Sequence, residues 1–86
     1  MPEISRFYGM VITMYFDDHP PPHFHVRYAD ARATICIATG ELLSGALSPR
    51  AASLLAEWTR LHSVELEQNW TELARGGRVS PIEPLA

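Results

Sequence analysis

Lysine is absent from this chain. Its seven basic residues are all arginines, set against ten carboxylates, and the net charge is −3. The broad basic surface that non-specific nucleic-acid binding relies on is therefore missing, and nucleic acid is not an expected partner. Cysteine is nearly absent too. A single Cys36 excludes an internal disulfide. Lying in the apolar run "ATICIA", it reads as a small buried hydrophobe whose surroundings raise its thiol pKa. No apolar run reaches the ~18 residues of a membrane-spanning helix. The opening "MPEISRFYGM" carries Glu3 and lacks the long apolar core of a secretory signal, so the expected location is the cytoplasm. P-loop, G-x-S-x-G and H-E-x-x-H motifs are all missing, and no catalytic residue is assigned.

Repeats, low-complexity stretches and linkers are also lacking, so residues 1–86 read as one domain. Apolar residues make up 47% and charged residues 20%, the balance of a globular protein. A chain of this size buries only about 60–65% of its unfolded surface. A second copy or a partner subunit is a common source of added stability at that size.

The apolar pattern changes period halfway along. "MVITMYF" (residues 10–16) alternates, with Met10, Ile12, Met14 and Phe16 on one face. "HFHVRY" (23–28) sets Phe24, Val26 and Tyr28 against His23, His25 and Arg27. "RATICIA" (32–38) sets Ala33, Ile35 and Ile37 against Arg32, Thr34 and Cys36. A short strand at 41–45 follows the turn at Thr39-Gly40. Short connections make these strands antiparallel neighbours. From Ser48 the spacing becomes three and four: Ala51, Leu54, Leu55, Trp58, Leu61, then Leu66, Trp70 and Leu73. Ser48 is a suitable N-cap, and Pro49 suits the first helical position. An unbroken helix over 49–75 would be about 40 Å long, too long for this domain. A break near His62-Ser63 is predicted, with Ser63 capping a second helix. His62 itself reads as half-buried, with a hydrogen-bond partner near the helix end. Gly76-Gly77 ends the second helix. The proline-rich tail "RVSPIEPLA" predicts an edge strand near Val79 or an extended run along the surface. The expected fold class is α+β: a three- or four-stranded antiparallel meander followed by two C-terminal α-helices packed on one face through Leu54, Leu55, Trp58 and Trp70.

The densest chemistry lies in "DDHPPPHFHVRY", which holds three of the four histidines. Three consecutive prolines stiffen the segment. Asp17, Asp18, His19, His23, His25 and Arg27 are the candidate binding residues. Two imidazoles at i and i+2 of a strand point the same way, so His23 and His25 could share a divalent transition metal. His19 or an aspartate would supply a third ligand. That pattern supports a metal-dependent hydrolase or nuclease as the alternative to a binding face without cofactor. A third reading is RNA recognition through Arg27, Arg32 and Tyr15.

Two blocks carry a resemblance. In the first, Asp17, Asp18, His19, Pro21, Pro22, His23, Phe24, His25 and Val26 form DDH-x-PPHFHV. In the second, Trp58, His62, Glu65, Leu66, Asn69 and Trp70 form W-x-x-x-H-x-x-E-L-x-x-N-W. Together they resemble the bacterial domain-of-unknown-function 4160 family over nearly the whole chain. The resemblance implies a protein partner, because members look paired with a second small protein in an arrangement similar to toxin–antitoxin modules. It implies no activity. The expected function is a non-catalytic interaction module that binds the product of a neighbouring small gene or forms a homo-oligomer.

Overall fold

Two-residue turns make two of the four connections in the sheet. In the computed structural model, which describes residues 3–16 and 19–86, β1 (Glu3–Phe7) turns into β2 (Met10–Thr13) through Tyr8-Gly9. Both turn residues have positive φ, 50° and 80°, as a tight hairpin with right-handed strand twist requires. β3 (His23–Tyr28) turns into β4 (Ala31–Cys36) through Ala29-Asp30, and β5 (Leu42–Gly45) closes the meander. The order is β1-β2-β3-β4-β5, antiparallel throughout. Gly45 has φ 85°, and a Cβ there would collide with the Arg32 carbonyl oxygen, so the end of β5 is closed to other residues.

The sheet has five strands rather than three or four. β1 escapes the alternation rule because its register with β2 shifts between Glu3 and Ser5. That irregularity buries the adjacent residues Ile4 and Ser5 together. It also frees the Ile4 carbonyl to accept a hydrogen bond from Ile82 N–H at 2.7 Å. β2 is shorter than the alternation suggests. Met14 is buried, but Phe16 lies beyond the strand and is 63% exposed. Tyr28, at the far end of β3, is exposed as well.

The core face holds Met10, Ile12, Phe24, Val26, Ile35 and Ile37 against Leu55 and Trp58. Helix α1 (Pro49–Leu61) starts as expected: Ser48 Oγ accepts the Ala51 N–H at 3.2 Å. The helical path breaks at His62 (φ −118°, ψ 26°), and α2 (Ser63–Ala74) follows at once. Ser63 does not cap it. His62 occupies the cap, and its Nδ1–H donates to Glu65 Oε1 at 2.7 Å, with the His62 side chain half-buried. Trp70 and Leu54 are half-buried and pack against the edge of this core.

The tail is an extended strap rather than an edge strand. Asn69 grips it twice: Nδ2–H donates to Ser80 O at 2.9 Å, and Ser80 N–H donates to Oδ1 at 2.8 Å. Ile82 enters the core, Trp58 Nε1–H donates to Glu83 O at 2.9 Å, and Tyr8 O–H donates to Ala86 O at 2.9 Å. The strap thereby covers the β1 edge, which would otherwise offer open pairing groups.

Two substitutions test this architecture. Ile35→Ala removes a fully buried aliphatic and should cost about 2–5 kcal/mol in chemical denaturation; an unchanged midpoint would mean the core face is wrongly assigned. Asn69→Ala should cost about 1–3 kcal/mol, because it removes two part-buried hydrogen bonds to the Ser80 backbone at once. Hydrogen exchange should then quicken at the Ser80 and Ile82 amides before it does in β3.

Candidate functional site

Strand register turns the alternating sequence into rows across the outer sheet face, opposite the helices. Thr13 and Thr34 flank His25, and Ser44 extends that row onto β5. Val11 and Arg32 flank Arg27, with Arg6 beyond Val11. Cys36 lies across from His23. Of the candidate binding residues, the fold brings His23, His25 and Arg27 together on this one face. His19 is exposed before the strand, and Asp17 and Asp18 lie outside the described residues. The peptide bond between Pro20 and Pro21 is cis.

The histidines stand within a chain of ring contacts. Tyr15 meets His25 edge-on at 4.6 Å between centroids, His25 meets His23 at 5.2 Å, and His23 meets Trp70 of α2 at 5.2 Å. His23 Nδ1 lies 2.8 Å from the Pro21 carbonyl oxygen. A carbonyl only accepts, so Nδ1 carries a proton, and in the neutral ring the basic lone pair is at Nε2. The contact with Trp70 was invisible in the sequence. The helical period assigns Trp70 to the core, against which it does pack, but its contact with His23 carries no periodic signal.

Arg27 and Arg32 are directly opposed across β3 and β4, and both are exposed. Like charges so placed destabilise a sheet by up to ~1 kcal/mol. Among the described residues, neither guanidinium forms an ion pair. Glu3, on that face, is bound by Arg6, whose Nε and Nη2 donate to it at 3.1 and 2.8 Å. That hydrogen bonding, against desolvation, holds the Glu3 carboxyl below its ordinary pKa, and the charges of Arg6 and of Arg27 lower it further. Between the arginines, His25, Tyr15 and the Thr34 and Ser44 side lies a concavity of about 170 Å³. A larger groove of about 720 Å³ runs between α2 and the strap. It is lined by three carboxylates, Glu65, Glu67 and Glu72, against the single cation Arg75, and two of the three already have partners in His62 and Arg75.

Among the described residues, no three histidine, cysteine, aspartate or glutamate side chains are grouped to hold a metal ion. His23 and His25 are adjacent, but His19 does not complete a set with them.

Cys36 corrects the sequence reading. It is half-buried on the outer face rather than enclosed in the core. Its thiol pKa is lowered, not raised. The main cause is a hydrogen bond from the Thr39 side chain, which outweighs desolvation; the backbone N–H groups of Thr39 and Ala38 add to it, and Glu41 opposes it. Thr39 Oγ1 also accepts the Glu41 N–H at 3.2 Å, which fixes the hydroxyl in the turn. The C-x-x-T spacing was the available signal, because a turn returns residue i+3 to residue i.

Residues 9–71 match the family described as Domain of unknown function (DUF4160), and the chain belongs to that family. No curated protein and no solved structure matches it. Among the described residues, no helix is long and apolar enough to cross a membrane.

The thiol environment predicts a measurable reactivity. Iodoacetamide should alkylate Cys36 with a rate–pH midpoint below that of an unperturbed cysteine. Thr39→Val should move the midpoint upward and slow the reaction at neutral pH. Equal midpoints in the two proteins would remove Thr39 as the cause.

Proposed function

We propose that this member of the DUF4160 family is a cytoplasmic, non-catalytic interaction module, one half of a two-component pair of the toxin–antitoxin type. Its partner surface is the outer face of the sheet. One observation carries the reading: the opposed Arg27 and Arg32, exposed on paired strands beside His25. The fold bears a repulsion there that a single neutral substitution would relieve. An acidic surface on a partner protein would convert that repulsion into two charge-assisted contacts. Both arginines project from paired strands, so little backbone ordering is left for binding to impose. The chain's own acidity argues against a nucleic-acid strand, whose backbone needs an extended basic track.

The alternative, a metal-dependent hydrolase or nuclease centred on His19, His23 and His25, draws support from the adjacent His23 and His25 rings. It lacks a third ligand among the described residues.

Co-expression with the product of the adjacent small gene, followed by native mass spectrometry, tests the reading. A heteromeric complex is expected, and Arg27→Glu with Arg32→Glu should abolish it while circular dichroism stays unchanged. A complex that survives the double reversal would place the interface elsewhere. A chain that carries a stoichiometric transition metal, lost in His23→Ala with His25→Ala, would favour the enzyme.

A further inference from the structure

We propose that the concavity beside Arg27 and Arg32 is a binding site for a single phosphate monoester group, the anchor through which the outer face takes its ligand. The inference rests on the reading of that face as a binding surface, and it specifies the chemistry that surface recognises.

Charge comes first. Arg27 and Arg32 face each other with two positive charges and, among the described residues, no carboxylate between them. A carboxylate carries one negative charge and two oxygens, enough for one guanidinium fork. A phosphate monoester carries about −1.5 to −2 at neutral pH and three acceptor oxygens. It matches two opposed guanidinium groups in both charge and oxygen count.

Shape and donors agree with this. The concavity is about 170 Å³, room for a compact group rather than for an extended strand. Beside the arginines its wall carries the hydroxyl residues Thr13, Thr34 and Ser44, which lie in one row on β2, β4 and β5, with His25 between the threonines. Hydroxyl groups can donate to the oxygens that the guanidinium forks leave open. Every one of these residues sits on a paired strand or beside one, so the site is assembled before the ligand arrives.

The surroundings limit the ligand to one phosphate. Arg6, the next cation along the row, is held by Glu3, so the positive track ends there. With a net charge of −3 on the chain, a polyphosphate backbone leaving the cavity would meet no basic path.

The test is an amide chemical-shift titration of the full chain at constant ionic strength. The probes are inorganic phosphate, a phosphoserine peptide, acetate and a single-stranded RNA oligonucleotide. Phosphate and the phosphopeptide should give saturable shifts at Arg27, Arg32 and Thr34, with affinity at least about tenfold above acetate. Tighter binding of the peptide than of inorganic phosphate would identify a protein-borne phosphate as the source. Arg27→Gln and Arg32→Gln should each weaken phosphate binding about tenfold. The contrast between phosphate and acetate on the unaltered chain decides the matter even if a variant folds poorly. Equal or non-saturating shifts for the two anions would overturn the proposal. So would undiminished phosphate binding in both folded variants, or RNA binding that outcompetes the phosphopeptide. Saturable phosphate binding together with a partner complex that survives charge reversal would sink the proposed partner surface and leave the phosphate site standing.

Discussion

Trp58 is the residue on which the other elements converge. It is fully buried, with its ring 5.2 Å from Phe7 and 5.6 Å from Phe24, and its indole N–H held by Glu83 O at 2.9 Å. One side chain thereby joins β1, β3, α1 and the strap. Burying an indole of this size contributes roughly 4–6 kcal/mol by area, a large share of what so small a domain has available. Its ring also meets His62 at 5.6 Å, at the point where the helical path turns. Covering one sheet face depends on this convergence, and covering one face leaves the other open to solvent.

The two conspicuous sequence blocks divide their work accordingly. Most of the tryptophan-to-tryptophan block is architecture. Trp58 and Leu66 fill the core, His62 and Glu65 make the joint between the helices, and Asn69 grips the strap. Trp70 packs against the rim of the core and also meets His23. The histidine block is split by strand alternation: Phe24 and Val26 face inward, and His23 and His25 face outward. A motif that stands out in a sequence can therefore be mostly mechanical. Here the less conspicuous cross-strand pair Arg27 and Arg32 breaks a stability rule on the exposed face.

Legibility in the sequence followed the range of the forces involved. β3 was readable to the residue because H-F-H-V-R-Y alternates without interruption and its neighbour lies two residues beyond the strand. Ser48 and Pro49 announced α1 by local hydrogen bonding alone. β1 was not legible, because the irregularity at Glu3–Ser5 buries two consecutive residues and destroys the period of two. The strap left two readings open, since the Asn69–Ser80 and Ile4–Ile82 bonds are long-range and carry no periodic signal. The candidate site was half legible. His23, His25 and Arg27 could be placed on one face, whereas the facing of Arg27 and Arg32 as nearest neighbours required the register of the β3–β4 hairpin.

Cys36 shows why composition alone misleads at such a place. Its sequence neighbours are apolar, yet strand alternation sends Ile35 and Ile37 to the core and Cys36 to the other side. What the sulfur meets is the following turn, where the Thr39 hydroxyl and two backbone N–H groups favour the thiolate. The same geometry acts on the arginines: position on a pleated strand, not the character of adjacent residues, decides which groups share a surface. Once α1, α2 and the strap have closed the inner face and the β1 edge, the outward rows are what this chain can present. Two like charges facing each other at their centre keep a standing cost in the unbound protein, and an anion that bridges them removes it.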